Sequence, residues 1–354
     1  MSVDEQIAEP VRLSVCIPTY NFGAFIGETL ESVLSQAVKG VEVVVLDGGS
    51  TDETCDVVAD FQARYPSLVR YERRSKRGGI DRDLDRTIAC ARGEYCWIFC
   101  ADDIMRPGSI EHVLAHITTG LDVYICGLTL CDPDLRPIKK HPVVALNTDA
   151  TFQLGDERQR QRYFALAQTT TALFSFAGSL IVRRAKWDTR ELDEDFVGSC
   201  WAHVARFFSM VPDGLNLGVI ADSYLYKRCV ATDSFSDDGA VRRVALAVDG
   251  YNRLADVFFG SSSVEAYHIR RVLANEYSPL VLIHTRSQAR AERPEDLALL
   301  DQLAERIYSD RSVANWLRCL AYRATRSAAY EWTRSVYLAA RRRVRSCGRL
   351  ASPR

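Results

Sequence analysis

The chain has 354 residues, 47% hydrophobic and 26% charged, with 20 glycines and 11 prolines. This is the make-up of two average folded domains, or of one large α/β domain with additions, and it excludes disorder, collagen and low-complexity arrays. The formal net charge of −1 hides an asymmetry: residues 311–354 hold eleven arginines against one acid, Glu331, so that segment carries +10 and the other 310 residues −11, which points to an anionic surface for the basic tail alone.

The N-terminus, MSVDEQIAEP, is acidic and polar and enters a strand without an apolar leader segment, so no secretory signal is expected. Residues 12–17 (RLSVCI) form a first strand, expected to stop at Pro18 because proline donates nothing to a ladder. Phe25, Ile26, Leu30, Val33 and Leu34 then recur at helical spacing. VEVVVL (41–46) is nearly continuous in Val and Leu, as in a parallel strand covered on both faces. DGGSTDET turns from it into a second helix that Ser50, Thr51 or Asp52 can cap. A third strand is expected near 68–72, a helix over 83–92 and a buried strand over 94–99 that ends in CADD. Residues 108–118 read as helix and 122–130 as strand. Residues 132–175 are less regular, with a helix at ERQRQRYFALAQ. Strand 178–184, helix 196–211 and strand 215–229 follow, and the region beyond 240 is helical. Such alternation predicts a doubly wound, mostly parallel α/β sheet, whose ligands bind outside the carboxyl ends of its strands. Three polar clusters fall at those ends: Pro18–Asn21, Asp47–Ser50 and Asp102-Asp103.

Each cluster has a functional and a plain structural reading. Asp102 and Asp103 suit a hard divalent cation that neutralises a diphosphate leaving group, or else a helix N-cap ahead of Pro107. Asp47 before Gly48-Gly49 suits a ribose or base, or a tight βα turn. The GGS run is not a P-loop, and no GxGxxG occurs. His112 and His116 lack the HExxH order and read as surface histidines. His203 sits in an apolar helix, as a core histidine or as a base at the mouth of a cleft. The eleven cysteines are odd in number, scattered in apolar runs and without a CxxC pair, as expected of reduced thiols in a cytosolic protein, with Cys96 and Cys100 buried and inert. From 311 to 345, apolar positions spaced by three and four line one helix face, with Trp316, Tyr330, Trp332 and Tyr337 beside them. This face suits an anionic membrane surface, or packing on the catalytic domain with the arginines solvated. Nucleic acid is not expected, because the body is acidic and no binding motif occurs.

With SVCIPTYN, VVVLDGGSTDET and GIDRDLDRTIACARGEYCWIFCADD in that order, the chain resembles family 2 glycosyltransferases of the GT-A fold over residues 12–130, and more loosely to about 235. GIDR, GSLIVRRAKW and FVGSCWAHV are similar to bacterial abequosyltransferase-like enzymes of O-antigen assembly. The resemblance implies a tail (1–11), a GT-A domain (12–240, nucleotide half 12–130, acceptor half 131–240) and a helical region (241–354). It assigns Pro18, Thr19, Tyr20, Asp47, Asp81 and Arg82 to the nucleotide sugar, and Lys227, Arg228 and Ser234 to a loop over its diphosphate. It places Asp102 on the metal, Mg²⁺ or Mn²⁺, with Asp103 catalytic beside it. The usual D-x-D-D stands here as Cys100-Ala101-Asp102-Asp103, so its first acid is missing. The usual Glu-Asp of the acceptor helix is also absent, which makes His203 the nominated base and leaves the stereochemical course open. The implied activity moves a deoxy or dideoxy hexose from a nucleoside diphosphate to a lipid-linked oligosaccharide, in the cytoplasm at the inner face of the membrane. The competing readings are a nucleotidyltransferase, whose glycine-rich basic loop is missing after the first strand, and a degenerate nucleotide-sugar-binding assembly subunit.

Overall fold

The structure, a computed structural model, describes residues 10–229, 239–310 and 312–325. It opens with β1 (Leu13–Thr19), α1 (Gly23–Leu34), β2 (Val41–Asp47), α2 (Thr54–Arg64), β3 (Val69–Arg73), α3 (Ile80–Ala89) and β4 (Tyr95–Ile98). This alternation lays down four parallel strands in the order β3-β2-β1-β4. The chain continues through β5 (Ile104–Met105), α4 (Ser109–His116), β6 (Val123–Cys131), β7 (Pro137–His141), β8 (Ala150–Gln153) and α5 (Glu157–Leu166). After them come β9 (Leu180–Arg183), α6 (Arg184–Trp187), α7 (Ala202–Met210) and β10 (Asn216–Arg228). Strand β9 joins β4 to β6 antiparallel to both, and β10 runs parallel to β6 and antiparallel to β5 and β8. The parallel half expected from the alternation is therefore continued by a mixed half. β7 pairs with β6, and β7, β8 and α5 occupy the span expected to be irregular.

Strand β1 does not stop at Pro18; it runs to Thr19, and Pro18 sits opposite Leu46. The physical reason is alternation. Cys16 presents its carbonyl to Phe99 on the β4 side, whereas Thr19 presents its carbonyl to Gly48 on the β2 side. Pro18 thus turns its missing N–H toward β4, beyond the last β1–β4 pair, Cys16 with Ile98.

Helix α7 is shorter than expected. Residues 196–201 stay outside it because Gly198 and Cys200 take positive φ of 85° and 69°. Their amides are captured elsewhere, as described below.

Val15, Ile17, Val43, Val45, Trp97 and Ile181 share one core with Ile26, Leu30 and Val58 of the covering helices. Inside the apolar run VEVVVL lies one acid, Glu42, and it too is buried. Its carboxylate accepts from Ser14 Oγ (2.7 Å), from the Arg92 amide (2.7 Å) and from Arg92 Nε (2.8 Å). Burial pushes its pKa up, but these bonds outweigh burial and hold it below the ordinary carboxylate range.

The last helices are α8 (Gly239–Phe258), α9 (Val264–Glu276), α10 (Pro279–Glu292), α11 (Leu297–Ile307) and α12 (Val313–Ala324). The chain forms two compact units, divided within α8 and α9: residues 250–272 belong with the sheet, and the described residues of 239–249 and 273–325 form the second unit. That second unit has its own core, including Val241, Val248, Leu282, Leu300 and Leu303. No described helix is long and apolar enough to cross a membrane.

Because the depressed pKa makes Glu42 stabilising above its unfolded value, that contribution should vanish as pH falls through the folded one. Glu42→Ala should therefore cost about 2–4 kcal/mol at pH 7 by leaving Ser14 and Arg92 unpaired. The gap from wild type should close on acidification below pH ~4, as followed by urea unfolding; a gap independent of pH would contradict this assignment.

Candidate active site

Parallel strands end on one edge, and the order turns back on itself between β1 and β4, the place where such sheets leave a crevice. The three polar clusters singled out in the sequence lie at that edge. The loops after β1 and β2 are stitched together. The Gly48 amide donates to the Thr19 carbonyl (2.9 Å), the Asn21 amide to Ser50 Oγ (2.8 Å) and the Thr51 amide to Asn21 Oδ1 (2.8 Å). Gly49, with φ of +90°, permits the turn.

Asp47 is fully buried, and its carboxylate is occupied. Oδ1 accepts from the amides of Gly49 (3.0 Å) and Ser50 (2.7 Å), while Oδ2 accepts from the Tyr71 hydroxyl (3.0 Å) and faces Arg73 Nε at 3.6 Å. It shapes the loop from inside. Asp81 is spent in the same way. One oxygen accepts from Gly198 (2.8 Å) and Cys200 (3.0 Å), and the other from Ala202 (3.1 Å), which ties α3 to the start of α7. Arg82 lies on the surface in a bidentate pair with Glu194.

The residue of this helix that faces the β2 loop is Asp83, which the sequence reading passed over. A Cβ on Gly48 would stand 2.7 Å from its Oδ2, and one on Gly78 2.5 Å from its Oδ1, so a larger residue at either position would have to displace this carboxylate. Burial raises its pKa, against the opposing pull of the Gly78 amide and of Arg77 and Arg74. The signal was present: Asp83 precedes Thr87 by four and Leu84 by one, which sets it on the buried face of α3. Tyr20 is half-buried with the Arg77 guanidinium 4.1 Å above its ring. Pro18 lies just inside this edge, and the buried Thr19 Oγ1 has no hydrogen-bond partner.

At the end of β4, donor atoms of Cys100, Asp102 and Asp103 lie within 4.8 Å of one another. Asp103 is buried; its Oδ1 accepts from the Arg228 amide (3.0 Å), whereas its buried Oδ2 has no hydrogen-bond partner among the described residues. Burial first, then the Asp102 charge, push its pKa up to about 7, although Lys227 pulls the other way. Burial also lifts the Cys100 thiol well above its ordinary value, so this residue offers neutral sulfur where the family motif has an acid. The fit to a hard cation is therefore carried by oxygen: two carboxylates, one with a buried oxygen that has no hydrogen-bond partner among the described residues.

Arg228, expected over the diphosphate, is instead buried and turned into the protein. Nε donates to the Asp102 carbonyl (3.2 Å), Nη1 to the Pro133 carbonyl (2.9 Å) and Nη2 to Glu28, and the group lies over the Phe25 ring. It braces the acidic loop. Lys227, next in the strand, points to the other face and sits 4.3 Å from the centre of the Phe176 ring. Ser234 lies outside the described residues.

His203 is not at a cleft mouth. It is buried at the start of α7, its Nε2 donates to the Phe174 carbonyl (3.0 Å), and burial lowers its pKa. Another histidine, missed in the sequence, lies in the mixed half of the sheet, on β7. His141 pairs across β6 with Leu128 and so aligns with Leu225, two residues along β10 from Lys227 and on the same face. It shares a 3.1 Å hydrogen bond with Thr171, and burial, then Lys227 and Lys139, lower its pKa to about 4. No local motif marks His141; only strand pairing brings it here.

Residues 14–186 match the Glycosyl transferase family 2 profile. Over that stretch, just under half of its length, the chain is similar to family 2 glycosyltransferases. It is similar to abequosyltransferase RfbV of Salmonella typhimurium, with 28% identity over 257 residues, or 71% of this chain and 76% of that protein. A shorter match, 32% identical, joins 28% of the chain to 33% of glycosyltransferase GlyG of Streptococcus pneumoniae. Among solved structures, S. aureus TarS 1–349 in complex with UDP-GlcNAc superposes with a TM-score of 0.56 at 18% identity, covering 88% of this chain and 89% of that one. The mannosyltransferase PcManGT of Pyrobaculum calidifontis, in complex with GDP-Man and Mn²⁺, superposes with 0.51 at 18% identity, covering 91% and 83%. The fold is GT-A, and the protein is a glycosyltransferase.

The raised pKa of Asp103 makes its ionisation a cost to folding: stability present at low pH declines as pH climbs through about 7. Asp103→Asn keeps the bond from the Arg228 amide and removes the charge. It should melt higher than wild type at pH 8, with the gap closing only below pH ~4, as read by calorimetry. Wild-type affinity for Mn²⁺ should rise about tenfold per pH unit below about 7 and level off above, since the site must lose a proton to bind; titration calorimetry with flat affinity would refute it.

Proposed function

We propose that this glycosyltransferase moves a hexose of the deoxy or dideoxy class from a nucleoside-diphosphate sugar to a hydroxyl of a lipid-linked oligosaccharide. The setting is the cytoplasmic face of the inner membrane, in cell-surface polysaccharide assembly. The observation that carries the reading is the unsatisfied Asp103 Oδ2 beside Asp102 at the strand edge of a family 2 domain. The named abequosyl transfer of the RfbV relative and the nucleotide-sugar ligands of TarS and PcManGT support it.

In this reading Asp102 and Asp103 hold Mg²⁺ or Mn²⁺, which when bound supplies positive charge for the departing diphosphate. Tyr20, stacked under Arg77, offers a face to the nucleoside, and Thr19 Oγ1 a free hydroxyl. Asp47, Asp81 and Pro18 serve by holding that rim in shape. Lys227 adds a cation on the donor side, and Arg228 holds the acidic loop against α1. The acceptor oxygen attacks the anomeric carbon as the carbon–phosphate oxygen bond breaks, and the acceptor proton passes to His141 Nδ1, its Nε2 being engaged by Thr171. The low pKa keeps His141 neutral and ready at physiological pH. The basic segment 311–350 meets the anionic surface of the membrane, although residues 326–350 lie outside the described residues.

Asp102→Ala should abolish both sugar transfer and metal-dependent donor hydrolysis while shifting Tm by less than ~2 °C. A large loss of stability would favour a capping role instead. His141→Gln should lower kcat about 10²-fold with the donor KM unchanged, whereas His203→Gln, which can still donate to the Phe174 carbonyl, should retain most of kcat. The reverse pattern in steady-state kinetics would return the base to His203.

A further inference from the structure

Helix α12 buries its polar side. Asn315, Tyr322 and Thr325 are buried. The Tyr322 hydroxyl donates to Asp301 (2.8 Å) and accepts from Arg286 Nη1 (2.9 Å), and Asn315 Oδ1 accepts from Arg318 (2.8 Å). Facing outward are Val313, Trp316, Leu317 and Leu320, with 73%, 59%, 54% and 43% of their surface exposed. These are positions i, i+3, i+4 and i+7, one continuous stripe. An amphipathic helix packed on a protein shows the opposite arrangement, apolar side in. The inverted face is a contiguous apolar surface with no cover among the described residues.

We infer that this stripe is a lipid-docking surface that inserts into an anionic membrane, an inference resting on the membrane setting proposed above. Charge decides the occupant. Residues 326–354 follow the helix with eight arginines and a single acid, Glu331, a cationic tract matched to anionic headgroups. The acids near the stripe are already engaged: Glu305 pairs with Arg323 at 3.0 Å, and Asp310 accepts from the Ser312 amide and hydroxyl. Trp316 in the middle of the face is the residue type that settles at the headgroup boundary. Arginine attraction and apolar insertion then make separable contributions, because salt screens the first and leaves the second.

The experiment uses the full-length protein with vesicles of phosphatidylcholine alone or mixed with phosphatidylglycerol, read by co-sedimentation and by quenching of tryptophan by brominated acyl chains. Binding should require the anionic lipid at low salt, and a fraction should persist at ~1 M salt, where the screening length is about 3 Å. Leu317→Glu should abolish that residual binding and weaken low-salt binding at least tenfold, with Tm unchanged. Quenching by brominated lipid should fall in Trp316→Phe. Complete release of wild type at high salt, or no effect of Leu317→Glu, would overturn the inference. So would a dimer that Leu317→Glu dissolves, since a second copy would then own the face. Shielding of Trp316 from acrylamide without vesicles would also overturn it, because the chain itself would cover the stripe. No readout uses catalysis: if transfer fails but Asp102→Ala and wild type bind vesicles alike, the enzymatic reading alone is lost.

Discussion

The pairing of β1 with β2 on one side and β4 on the other, all three parallel, sends the loops that follow them to a single edge of the sheet. The strand order reverses between β1 and β4, the place where such sheets leave a crevice beyond their strand ends. The Thr19, Asp47 and Cys100–Asp103 positions are consequences of that pairing. A register slip of one residue in β1 would turn Val15 and Ile17 out of the core, so burial of those side chains also maintains the placement of the loops.

Within the edge, carboxylates divide by what surrounds them. Asp47 and Asp81 are buried among backbone amides that take up their lone pairs, and each ties one segment to another. Asp103 is buried with one oxygen left over, next to Asp102, and its acidity is correspondingly weakened. A buried acceptor without a donor is costly unless a ligand supplies one. Arg228 explains how such a cluster holds together: its amide and guanidinium bridge the acidic loop to α1 and to Pro133. Its charge thus serves the architecture, while the neighbouring Lys227 lies over the Phe176 ring.

Much of the sheet was legible because buried parallel strands leave continuous Val and Ile runs, as in SVCI and VEVVVL, and because turn residues punctuate them. The three-part motif carried the family for the same reason: it lies in strand ends and their loops, where sequence and position coincide. Reading failed where long-range contacts overrode local pattern. Residues 196–201 have helical periodicity, yet Asp81, over a hundred positions earlier, takes their amides and holds Gly198 and Cys200 at positive φ. His203 stands out in sequence for lack of another titratable group nearby, whereas strand pairing sets His141 two strands from Leu225, on the face of Lys227.

The sequence by itself determined the alternation of elements, the family and the acids of the β4 end, since each depends on short-range pattern and residue type. Tertiary structure decided how those acids are surrounded. It turned Arg228 inward, buried His203 against the Phe174 carbonyl, set Asp83 between two glycines and left the apolar side of α12 facing outward. Hydrogen-bond saturation and burial are properties of what surrounds a side chain, and those surroundings are assembled from segments far apart in the chain.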